Sequence, residues 1–167
     1  MALQNLDISE TLLNLGVYLK TNKNINDFCR TQFTKELKVY AGDFLRKDIP
    51  EVKDCPYIVL TDFKKKEGQN IEFCEYKVTV FLGVGSDKLE YAEEQGVIIP
   101  DIYDVGAKLM TLIEQELNNP KERNRPISRI DTSGLYPLNP SGTHWVGRMD
   151  IAFRIYQTLG TEYQEEL

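Results

Sequence analysis

Residues 143–159, THWVGRMDIAFRIYQTL, alternate strictly. Trp145, Gly147, Met149, Ile151, Phe153 and Ile155 fall on one side of an extended chain, and Arg148, Asp150, Arg154 and Tyr156 on the other. Successive side chains of a strand point to opposite faces, so this pattern asks for a long strand with one face in a core and the other meeting water or another subunit. Residues 70–85, NIEFCEYKVTVFLGVG, obey the same rule: Cys74, Tyr76, Val78, Val80 and Leu82 share a face, and Glu75, Lys77 and Thr79, joined by Phe81, take the other. Before them, YIVLTDF (57–63) is rich in β-branched and aromatic residues. The intervening TDFKKKEGQN holds Gly68 and Asn70 as turn formers, which predicts a β-hairpin with Lys64, Lys65 and Lys66 at or near its tip.

Two stretches have helical spacing. DISETLLNLGVYLK (7–20) offers Asp7 as an N-cap with Glu10 three residues on, then Ile8, Leu12, Leu15 and Leu19 along one stripe. PDIYDVGAKLMTLIEQELNNP (100–120) places Ile102, Val105, Leu109, Leu112, Ile113 and Leu117 on one face, with Asp101 and Asp104 at the N-terminal end and Pro120 beyond the other. TNKNINDFCRTQF (21–33) is polar with scattered aromatics and reads as a loop with one helical turn at most, while ELKVYAGDFL (36–45) reads as a short strand closed by Ala41-Gly42. The Pro-rich arm, 119–144, is expected to be extended and irregular, with a short strand in PISRIDTS. Helix, strands, helix, strands predicts an α+β fold: a largely antiparallel sheet with helices packed on one face. No repeat or linker divides the 167 residues, so one domain over 1–167 is expected, with a loose acidic C-terminus at about 160–167.

Composition narrows the chemistry. Lys plus Arg number 20 against 26 Asp plus Glu, a net charge of -6 that repels phosphate polymers over most of the surface. Cys29, Cys55 and Cys74 lack the close spacings of zinc or redox motifs and read as reduced, buried thiols of a cytosolic protein. No segment reaches the ~20 apolar residues of a membrane span. The single histidine, His144, stands beside Trp145 at a strand start and reads as a hydrogen-bonded structural residue rather than a catalytic one. GVGSDKLE lacks both the P-loop pattern and the third glycine of a dinucleotide loop, so it reads as a strand exit. A binding or hydrolytic domain would have to use His144, Asp131 and Ser133, the least unsuitable polar cluster, and these sit in or beside the Pro-rich arm. No catalytic, cofactor or metal residue is assigned. The densest basic segment joins Lys121, Arg123, Arg125 and Arg129, with Glu122 and Asp131 among them as counter-charges.

Taken together, the early amphipathic helix, the YIVLTDF to YKVTVFLGVG hairpin, the helix VGAKLMTLIEQEL and the final strand HWVGRMDIAFRIYQ resemble the tail-terminator proteins of long-tailed bacteriophages and prophages, over about residues 8–158. The resemblance implies an α+β structural protein, not an enzyme. It would form a homo-oligomeric ring, expected to be a hexamer, that caps the completed tail tube and offers the head-attachment surface. Its partners would be itself, the tail tube protein and the head–tail connector protein, in the bacterial host cytoplasm during assembly and then in the virion tail. DNA would pass through the ring without specific binding, and no cofactor or membrane is implied. Another connector or tail-completion protein is the alternative within the same class. On this reading Lys64, Lys65, Lys66, Lys121, Arg123, Arg125 and Arg129 are candidate protein-docking residues, against a simpler role for the lysines in keeping a strand edge soluble.

Overall fold

The computed structural model describes residues 8–42, 50–67, 73–119 and 127–156. Strand β8 (His144–Tyr156) is the spine, paired antiparallel along its whole length with β3 (Phe73–Gly85). Outside β3 lies β2 (Tyr57–Glu67), antiparallel, and then β1 (Lys38–Ala41), which runs parallel to β2. On the other side β6 (Ile127–Thr132) and the short β7 (Tyr136–Pro137) both pair antiparallel with β8. The sheet order is therefore β1-β2-β3-β8-β6, and the alternation in sequence is the alternation in space: Val78, Val80, Leu82, Met149 and Ile151 are fully buried on one face.

Among the described residues three α-helices cover that face, giving the expected α+β architecture with a mostly antiparallel sheet. Helix α1 (Ile8–Thr21) inserts Leu15 and Leu19, and α3 (Asp101–Leu117) inserts Leu109, Ile113 and Leu117. Leu12 and Leu112 pack partly buried against the same core. The proposed cap Asp7 lies outside the described residues. Close approach of α3 depends on two glycines: a Cβ on Gly106 would stand 2.7 Å from Val84, and one on Gly147 would stand 2.7 Å from the Met110 sulfur.

Residues 21–33 depart from the expected loop. They form α2 (Lys23–Phe33), capped by Asn22, whose side chain accepts from the Ile25 amide at 3.1 Å. Only Ile25 and Cys29, one turn apart, are fully buried apolar residues there, and a stripe that narrow is lost among polar neighbours. A second departure is a hairpin of β4 (Tyr91–Glu94) and β5 (Val97–Pro100), a separate two-stranded sheet between β3 and α3. Its turn places Gln95 and Gly96 at positive φ, the primed geometry that asparagine-glycine usually announces. Among the described residues no helix is long and apolar enough to cross a membrane.

Candidate docking surface

The lysines stand near the hairpin tip, in the ladder rather than in the turn. Lys64, Lys65 and Lys66 are ladder residues of β2, opposite Lys77, Tyr76 and Glu75, and the turn itself lies outside the described residues. The ladder extends through them because of a bulge between Thr61 and Lys64, where Asp62 takes φ 53°. Without that extra residue, alternation from the buried Leu60 would turn Phe63 outward and Lys64 inward. With it, Phe63 meets the Tyr76 ring at 5.7 Å and Lys64 is exposed on the face away from the helices.

Register then builds that outer face in rows across the strands. One row reads Lys64, Lys77, Ala152, Arg129, and the next Thr61, Thr79, Asp150, Asp131. Lys64 and Arg129, 65 positions apart in sequence, thus stand in one row, roughly 14 Å apart across three strand spacings. Ion pairs run along strands rather than across them: Arg129 Nε to Asp131 at 2.8 Å, Arg148 to Asp150 through Nε and Nη2 at 3.0 Å, and Lys77 to Glu75 at 3.4 Å. Lys64 pairs with no carboxylate among the described residues. Burial opposes the Asp150 charge, but hydrogen bonds from Arg148 and from the Thr79 hydroxyl (2.8 Å) outweigh it and hold the carboxyl below its ordinary range. The result is a stripe of cations beside a stripe of anions. Like charges directly opposite on neighbouring strands, Lys64 with Lys77 and Asp131 with Asp150, weaken an isolated sheet.

Between Lys77 and Arg129 the row dips at Ala152, which is buried at 4% exposure. The depression, about 190 Å³, is lined by the cations Lys64, Lys77, Arg129 and Arg148 and the carboxylates Asp62, Asp131 and Asp150, with Ala152 at its base. That is below the ~300 Å³ at which small-molecule pockets begin, and suits one protruding side chain.

The upper part of the same face is apolar. Tyr57 lies across Gly83, where any Cβ would overlap its ring, and its hydroxyl is 3.0 Å from His144 Nε2. Cys55 and Val59 complete this small buried cluster. Burial pushes the Cys55 thiol up to about 12 and lowers the His144 pKa, so both are neutral packing groups near pH 7. His144 therefore does not meet Asp131 and Ser133. It stands six residues along β8 from Asp150, the partner of Asp131, or about 20 Å away, so the cluster needed for a hydrolytic or small-molecule site is not assembled.

Of the sequence-predicted docking residues, the fold brings Lys64 and Arg129 into one row and continues Lys65 and Lys66 along the same strand. Lys121, Arg123 and Arg125 lie outside the described residues. Sequence reasoning missed Lys77, Arg148 and Asp150 as members of the surface. Their signal was present as opposite charges two apart, Glu75-Lys77, Arg129-Asp131 and Arg148-Asp150, which strand alternation places on one face. Among the described residues no group of three or more His, Cys, Asp and Glu could hold a metal ion. The chain matches no protein-family model, and no curated protein is significantly similar to it.

Proposed function

We propose that this chain is a structural assembly protein of the tail-terminator kind. It forms a ring on the completed phage tail tube, ends tube growth, and presents the surface to which the head–tail connector attaches. The observation that carries this reading is the striped outer face. Rows of like charge cost an isolated sheet stability, and a partner with complementary rows offsets that cost while fixing register. Arg129, Lys64 and the lysines that follow it in β2 act in docking to protein, and rim charges of this kind govern encounter rate and register. The ring is expected to be a hexamer, and its lumen passes DNA without gripping it, in keeping with a net charge of -6. The test is molar mass by light scattering across a concentration series, with and without tail tubes. A discrete ring supports the reading.

A further inference from the structure

The β4–β5 hairpin is attached to the fold at one end and pairs only with itself. It nevertheless exposes Tyr91 (59%), Val97 (57%) and Ile98 (67%). An isolated two-stranded ribbon is marginal in water, and exposed β-branched residues on it mark a contact surface or an aggregation hazard. Register sets Glu93 opposite Ile98 and Glu94 opposite Val97, so each face of the ribbon offers one carboxylate beside one aliphatic side chain. Glu90, Asp101 and Asp104 flank it, and the only nearby cation before α3 is Lys88.

We propose that this hairpin docks on the striped sheet face of a second copy of the chain, Ile98 entering the depression over Ala152 with Glu93, which shares its face of the ribbon, against the row Lys64, Lys77 and Arg129 and Glu94 at the edge of the contact. This rests on the ring reading and names the contact that builds the ring. The complementarity is of size and, along the row Lys64, Lys77 and Arg129, of charge: an acidic ribbon with a protruding isoleucine, and a notch of about 190 Å³ with Ala152 at its base, whose rim also carries Asp62, Asp131 and Asp150. The contact cannot form within one chain. The hairpin leaves β3 after Gly85, eight residues or about 26 Å from Lys77, and Glu94 lies near enough to Lys108 of α3 for its charge to be felt, on the helix side of the sheet. The notch is on the opposite side. A surface that docks on a different surface of its twin is a heterologous contact, which closes into a ring when the rotation permits.

Charge exchange tests this in the full chain by sedimentation at low salt. E93K/E94K and K64E/K77E should each weaken self-association by about tenfold or more, as expected for losing close interfacial charge pairs, and the fourfold variant should recover it. I98D should abolish association with its thermal melt unchanged, which separates docking from folding. If the wild type assembles and E93K/E94K and I98D assemble equally well, the hairpin contact is overturned and the ring reading survives. If both charge variants are weakened and the fourfold variant is no better, this pairing is likewise wrong. If the wild type is monomeric at every concentration, with and without tail tubes, the ring reading falls and the contact falls with it.

Discussion

Phe153, 2% exposed on β8, joins the core through the sheet's inner face and stands opposite both Tyr76 and Ile127. Phe153→Ala should cost about 3–5 kcal/mol in urea titration, the usual loss for a buried aromatic truncated in a packed site. A loss under about 1 kcal/mol would mean that the strand faces the other way. His144 makes a pH prediction. Burial lowers its folded-state pKa below the unfolded value of about 6.5, so the unfolded chain binds the extra proton first. Stability is therefore full above about pH 6.5 and is lost as pH falls through the window beneath it. Asp54 and Asp150, both held below the ordinary carboxylate range, add their losses only at more acid pH, near 4. His144→Gln should flatten the slope just below about pH 6.5 in equilibrium unfolding and keep the steeper acid limb. An unchanged slope would assign the effect to other groups.

Elements differ in how openly the sequence announces them. β3, β8 and α3 are legible because each buries a wide, regular face: period two in the strands, and Ile102, Leu109, Ile113 and Leu117 along the helix. α2 is not, because Asn22 caps it and two buried apolar residues suffice to anchor it. The end of β2 is legible only in part: Gly68 and Asn70 announce the hairpin and set the lysines near its tip, but the bulge at Asp62, which turns Lys64 outward, has no signal in the sequence. Of the docking face, the lysines and Arg129 are visible in sequence as basic residues, but their row exists only once β2, β3, β8 and β6 are in register. The bulge can be tested directly. Asp62→Gly should leave stability unchanged or raise it by up to about 1 kcal/mol, since glycine takes φ 53° without Cβ strain, whereas Asp62→Val should cost about 1–2 kcal/mol. Equal effects of the two in denaturant titration would contradict a left-handed residue there.

At the scale of the molecule, charge is distributed unevenly. A hairpin with Glu93 and Glu94 leaves one end of the sheet, and the row Lys64, Lys77 and Arg129 crosses the face away from the helices. On a chain of net charge -6 this separation disfavours random contact and favours contact between unlike surfaces of successive copies. Rows of like charge, an exposed apolar ribbon and a notch sized for one side chain are the features on which the proposed assembly rests. Molar mass of the wild-type chain over a concentration series at low salt, alone and with tail tubes, is the most direct test. The account predicts one closed oligomer, most populated when tubes are present; a monomer under every condition would contradict it.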